Sequence, residues 1–238
     1  MAINKDSNAY TFGFAIVMVI IVGTVLAIAA MSLKPFQDEN VRKEKMQNIL
    51  SALQISVERN EAEKKFNETV KEQVVLDYNG NVKSSEQGSA FKIDVLKQYK
   101  SIAEAEKRDY PLYICEKDAK KYYVIPMVGK GLWGPIWGYI ALEEDGNTVY
   151  GASFDHKSET PGLGAEIKEK GFYSQFAGKK ILDENNNYVS VKVIKPGSEP
   201  VSPYNVDGIS GGTITSRGVG EMLQRTLKVY SNYLKNKS

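Results

Sequence analysis

The sequence predicts an α+β protein, a mixed or antiparallel sheet with helices packed on it, preceded by one N-terminal transmembrane helix. Three observations carry this reading. The run from Thr11 to Leu33 holds no charged side chain. From Tyr110 onward, short β-type runs follow one another between turn residues. The C-terminal stretch then returns to helical periodicity. Strands and helices do not alternate regularly and no G-x-G-x-x-G opens a helix, so a parallel nucleotide-binding sheet is not indicated.

The elements follow in order. A short tail, residues 1–10, leads into the apolar run at 11–33. Its 23 residues would span about 35 Å as a helix, enough for a hydrocarbon core with some tilt. A cleaved signal peptide competes, because Ala27-Ile28-Ala29 reads as a cleavage site. The apolar run is long for such a signal and Lys5 is offset by Asp6, which favours an uncleaved anchor. Lys34, Arg42, Lys43 and Lys45 follow the helix, and a positive-inside count alone would keep the soluble part cytoplasmic.

Residues 34–110 read as a membrane-proximal extension. Met46, Ile49, Leu50, Leu53 and Val57 share one helical face, belonging to a stalk or to a helix packed on the main domain. A second helical piece runs through Phe66 and Val70. Val74 to Tyr78 reads as a strand, with Asn79-Gly80 as its tight turn. The main domain, residues 111–238, carries strands at 110–115, 122–128, 137–142, 148–154 and 188–194, with a hairpin turn at Asp145-Gly146-Asn147. A helix is expected from about Ala165 to Phe176. The terminal helix would bury Val219, Met222, Leu223, Thr226, Val229, Tyr230 and Leu234.

Composition excludes several functions. With 31 basic and 29 acidic residues the formal charge is +2, without the strongly positive domain that nucleic acid demands. One His and one Cys make no metal site, and Cys115 has no intrachain disulfide partner. No Lys follows the glycines of a phosphate-type loop as a Walker motif requires. Nothing resembles a nucleophile elbow.

The most informative stretch is Asp207-Gly208-Ile209-Ser210-Gly211-Gly212-Thr213-Ile214-Thr215-Ser216. Its glycines permit positive φ and close approach, and its hydroxyls lead into a helix N-terminus, which favours phosphate. The plainer reading is a turn with Thr215 or Ser216 as N-cap. A second loop, His156-Lys157-Ser158-Glu159-Thr160-Pro161-Gly162-Leu163-Gly164, is barred from helix by Pro161 and opened by its glycines. A third segment, Gly129-Lys130-Gly131-Leu132-Trp133-Gly134-Pro135-Ile136-Trp137-Gly138-Tyr139, precedes it. Either Trp could be plain core, and Trp133 is the better placed to approach a flat ligand.

The D-x-x-S-G-G-T run resembles the acceptor of covalently flavinylated proteins, in which a dedicated flavin transferase esterifies the last Thr with the phosphate of FMN. The resemblance implies Thr213 as acceptor, Ser210, Gly211, Gly212 and Thr215 around the phosphate, and Asp207 in transferase recognition. Gly212 stands where the family usually carries Ala. The H-x-x-E-T-P-G-L-G loop is similar to the flavin-contacting loop of FMN-binding domains, and the segment before it to that of the C-subunit of the sodium-translocating NADH:quinone reductases. In that family's terms Glu159, Thr160, Gly162, Leu163, Leu132, Trp133 and His156 lie at the flavin, with His156 ordering the loop or beside the ring. No catalytic residue, metal or sodium ligand is implied for this chain.

Membership implies an electron-transfer subunit of an NADH:ubiquinone oxidoreductase that exports Na+ across the bacterial inner membrane, with its soluble domain periplasmic. Its partners would be integral membrane subunits bearing an iron–sulfur centre, the second covalent-flavin subunit and the flavin transferase. NADH would bind elsewhere. The alternatives are the FMN-carrying G-subunit of the ferredoxin-linked Rnf complex, a membrane-anchored binding module without redox role, and a stand-alone extracellular flavin reductase.

Overall fold

The computed structural model describes residues 7–235, in two units divided between Glu44 and Lys45. Helix α1 (Asn8–Ala52) is the first element and runs through both. In the first unit its side chains from Asn8 to Asp38 are all exposed, and the helix is long and apolar enough to cross a membrane. Of the expected tail, residues 1–6, with Lys5, lie outside the described residues, and Asn8 already begins the helix. Pro35 removes one i→i−4 bond without ending α1. Beyond the apolar run, Lys34–Asp38 at 2.5 Å and Arg42–Glu39 at 2.8 Å brace successive turns.

The second unit follows with α2 (Ala62–Thr69), β1 (Val70–Leu76), β2 (Val82–Ser84), α3 (Ser89–Lys92) and α4 (Val95–Ser101). Strands β3 (Tyr110–Lys117), β4 (Lys120–Lys130), β5 (Pro135–Glu143) and β6 (Val149–His156) come next. Short turns of helix, including α5 (Lys170–Tyr173), lead to β7 (Lys192–Ile194), β8 (Asn205–Asp207) and α6 (Thr213–Lys235). The main sheet has the order β2-β1-β3-β4-β5-β6, with every pairing antiparallel. β1 therefore joins the same sheet as β3–β6, and the expected boundary at 110/111 falls inside one compact unit.

Period-2 alternation sends residues to opposite faces of this sheet. Leu112, Ile114, Ile125, Met127 and Ile140 face α6, whose Val219, Met222, Leu223, Leu227 and Tyr230 complete one core. Each such side chain, fully buried, contributes about 1.5–3 kcal/mol. Tyr113, Cys115, Val124 and Ala141 point the other way, where Met46, Ile49, Leu50 and Leu53 of α1 and Phe66 of α2 cover them. The apolar face of the juxtamembrane helix is thus packed on the domain from Met46 onward. All seven positions expected to be inward on the terminal helix are buried.

Gly218 lets α6 lie against β4. A methyl there would sit 3.2 Å from the carbonyl carbon of Lys130 and well inside contact distance of its oxygen. The helix consequently reaches the end of the sheet where β4 turns into β5.

Three further expectations need correction. The helix expected at 165–176 is a broken series: a 3-10 run Gly164–Lys168, α5, and a 3-10 turn Ser174–Phe176. Glu169 is extended between the first two (φ −85°, ψ 149°), and Phe172 and Phe176 instead seat on Phe154 at 5.7 and 5.1 Å. The strand expected at 188–194 shrinks to Lys192–Ile194, which pairs in parallel with β8. Ser190 takes φ 61°, which no strand tolerates. Finally, α6 begins at Thr213, so neither Thr215 nor Ser216 is its cap. Gly212 supplies the first helical carbonyl, to Ser216 N–H at 2.9 Å.

Candidate functional site

The three motif segments meet at one end of the sheet. Gly131 to Gly134 form the β4–β5 hairpin tip, closed by the Gly131 N–H on the Gly134 carbonyl at 2.8 Å. β6 pairs with β5 through Ile136↔His156, so the loop leaving β6 runs beside that tip. Ser158 Oγ donates to the Trp133 carbonyl at 3.2 Å. The first turn of α6 closes the group from the third side.

The loop from Asp207 to Ser216 owes its shape to two features. Gly211 takes φ 76°, where a side chain would also collide with Leu163 Cδ2 at 2.6 Å. Ser216 Oγ accepts from Ile209 N–H at 2.8 Å, folding the loop back on its own helix. Thr213 is the first helical residue and its side chain is exposed. It stands among the unpaired N–H groups and positive end of the helix dipole. Ser210 is exposed beside it. An Ala at position 212 would press on Ile209 Cγ2 at 3.0 Å, so the Gly here goes with the bulk of Ile209.

Two cations that sequence reasoning missed share this site. A cleft of about 450 Å³ is lined by Thr213, Ser210, Gly211, Arg217 and Lys195 among others. Arg217 lies one turn after Thr213 on the same helical face, a spacing legible once the helix start is known. Lys195 comes from the end of β7, carried there by the parallel β7–β8 pairing, where Gly208 N–H donates to the Ile194 carbonyl at 2.7 Å. No short-range signal announces it.

Exposed apolar side chains stand on the neighbouring segments: Trp133 (64%) and Leu132 at the hairpin tip, Leu163 beside Gly211, and Ile214 next to Thr213. The structure turns other candidates inward. Glu159 is buried, and its Oε1 accepts the Trp133 N–H at 2.8 Å while its Oε2 accepts the Thr215 hydroxyl at 2.5 Å. Burial pushes its pKa up, but the Thr215 hydroxyl and the N–H groups of Trp133, Leu132 and Gly134 outweigh it, leaving the carboxyl below its ordinary value. Thr215 is correspondingly buried and does not line the cleft.

The remaining candidates order the loops. His156 Nδ1 accepts the Glu159 N–H at 3.1 Å, which puts the neutral ring's proton on Nε2. That Nε2 is buried without a partner among the described residues. The Thr160 carbonyl accepts the N–H of Leu163 at 3.1 Å and of Ala165 at 3.2 Å. Gly162, at φ 75°, donates its N–H to Glu166 Oε1 at 2.8 Å. Asp207 ends β8, its Oδ1 accepting the Gly197 N–H at 3.3 Å. Trp137 is half-buried on β5, behind the hairpin tip.

Known proteins resemble this chain in sequence and fold. The model of the FMN-binding domain family matches residues 131–228. The chain is 32% identical to the C-subunit of a Na+-translocating NADH-quinone reductase from Vibrio campbellii, over 92% of this chain and 90% of that one. The C-subunit from Haemophilus ducreyi is 31% identical, over 91% and 88%. Among solved structures, the C-subunit from Parabacteroides distasonis superposes with a TM-score of 0.76 at 43% identity, covering 85% of this chain and 96% of that one. NqrC of Shewanella oneidensis gives 0.67 at 28% identity, covering 82% and 98%. Likeness over nearly the full length joins the three converging motifs, and the chain belongs to the C-subunit (NqrC) family of the Na+-translocating NADH-quinone reductases.

Proposed function

We propose that this chain is the FMN-carrying electron-transfer subunit of a Na+-translocating NADH:quinone reductase, with FMN held by a phosphoester to Thr213. The carrying observation is the exposed Thr213 hydroxyl on the first turn of α6, in a cleft it shares with Lys195 and Arg217. The residues present fit the group. A helix N-terminus with two cations suits a phosphate, and Leu132, Trp133, Leu163 and Ile214 offer an apolar surface for a flat ring. The bound FMN supplies the redox chemistry.

The chain's own residues tether and orient. Thr213 prevents loss of the cofactor. Lys195, Arg217 and the free N–H groups of the helix offset the phosphate charge. The apolar rim excludes water from one side of the ring. Asp207, held at the end of β8, is read by the flavin transferase during maturation. The apolar part of α1 anchors the protein in the bacterial inner membrane, with the flavin domain periplasmic. Its partners are the integral membrane subunits bearing the iron–sulfur centre and the second covalent-flavin subunit. The relatives' names favour this complex over the Rnf alternative.

The test is coexpression with a flavin transferase, then in-gel flavin fluorescence and peptide mass mapping. FMN should appear on the peptide containing Thr213 and be absent from Thr213→Ala, whose melting temperature should stay close to the parent's because the side chain is exposed. Covalent fluorescence retained by that variant would sink the assignment.

A further inference from the structure

Glu159 is where the three motif segments are joined. Its Oε1 receives the Trp133 N–H from the hairpin tip and its Oε2 the Thr215 hydroxyl from α6. The residue is buried, and each carboxylate oxygen is already engaged by a donor of the protein itself. The seat is built for it: a methyl added at Gly131 would lie 2.6 Å from Oε1, and one at Gly164 2.5 Å from Oε2. The Glu159 backbone is held in turn by His156 Nδ1.

We infer that Glu159 is a positioning residue and not a cofactor contact: its ionised carboxylate latches the Leu132–Trp133 hairpin tip to the first turn of α6, two residues from Thr213. The latch sets the distance between the attachment point and the apolar side chains that flank it. The negative charge makes both bonds of the latch charge-assisted. A glutamine would keep one acceptor oxygen for the Trp133 N–H and set its NH2 against Thr215, replacing both charge-assisted bonds by weaker neutral ones. Thr215, which the motif brings along without an obvious use, is the helix's half of the latch. The functional consequence for a bound flavin rests on the flavin reading above, whereas the latch itself does not.

The experiment uses the full chain in detergent, as wild type, Glu159→Gln, Thr215→Val, Thr215→Ser and the Glu159→Gln/Thr215→Val double variant. Two readouts are taken: hydrogen exchange of the tip amides at 132–134, and fluorescence anisotropy of FMN attached by the transferase. Glu159→Gln should speed exchange of those amides about 10-fold or more, the scale of a lost charge-assisted bond, and lower the anisotropy. Thr215→Val should shift both in the same direction by less. Thr215→Ser, which keeps the hydroxyl, should restore both, and the double variant should add little to Glu159→Gln. Wild-type exchange in Glu159→Gln, or no rescue by Thr215→Ser, would overturn the latch. Should Glu159→Gln unfold, the Val and Ser pair decides alone, since valine closely matches threonine in shape. A wild-type chain that takes up no FMN would remove the flavin reading while the exchange arm still judged the latch.

Discussion

Gly218→Ala tests how α6 is held at the site. Away from packing, the change should help, because Ala exceeds Gly in helix propensity by ~1 kcal/mol. Here the new methyl would press on the backbone carbonyl of Lys130, at 3.2 Å from its carbon. That carbonyl belongs to the last residue of β4, fixed by its pairing with Pro135 at the hairpin end, so α6 must lift by something on the order of 1 Å, at a typical overpacking cost of ~1–3 kcal/mol. The same movement draws the Thr215 hydroxyl off Glu159 and forfeits a charge-assisted bond of ~1.5–3 kcal/mol. The net destabilisation is about 2–4 kcal/mol, and at ~2–4 °C per kcal/mol for a domain of this size the melting temperature should fall by roughly 5–15 °C. Gly220→Ala is the internal control. It lies on the same helix, and its methyl would find Val193 at an ordinary 3.6 Å, so it should be neutral or slightly stabilising. Thermal melts followed by circular dichroism decide the matter. If Gly218→Ala melts with Gly220→Ala, the close approach of α6 to β4 is not what holds the site together.

Other outcomes follow from the same geometry. Asp207→Ala should slow flavin attachment while leaving an already loaded protein's absorbance spectrum unchanged, and equal loading of both proteins would remove the recognition role. The Asp77 carboxyl is held below its ordinary value by the Asn81 side chain and backbone, and that of Asp183 by the backbone N–H of Asn187. Asp145 and Glu159 are lowered despite burial, Asp145 chiefly by Thr148 and Glu159 by Thr215. Their folded pKa values lie below the unfolded ones, so the unfolded chain binds protons first as the pH drops. The stability they contribute is complete above about pH 5 and lost as the pH falls through the folded values; a melting temperature flat down to pH 3 would contradict this. Burial pushes the Cys115 thiol up to about 12, so alkylation at pH 8 should require denaturant, and rapid labelling of the native protein would refute its burial.

Much of the fold is legible because its signals are local. The uncharged run at 11–33 announces a helix, the Asp145-Gly146-Asn147 turn announces the β5–β6 hairpin, and the 3.6-residue spacing of Val219, Met222, Leu223 and Tyr230 announces α6. Misreadings arise where tertiary contacts overrule local preference. Packing of Phe172 and Phe176 against Phe154 goes with the break in the expected helix, and the positive φ of Ser190 ends the expected strand.

The site divides in the same way. By itself the sequence determined the family and singled out the loops that carry the motifs, with Thr213 as the proposed acceptor, because a turn that can take a phosphate needs its glycines and hydroxyls at fixed spacing. Only the tertiary structure decided that Glu159 and Thr215 face each other and that Lys195 joins Arg217 beside Thr213. Those partners are far apart along the chain, and the direction of a side chain depends on sheet register and on how closely a helix can approach a strand. Neither quantity is written in any one stretch of residues.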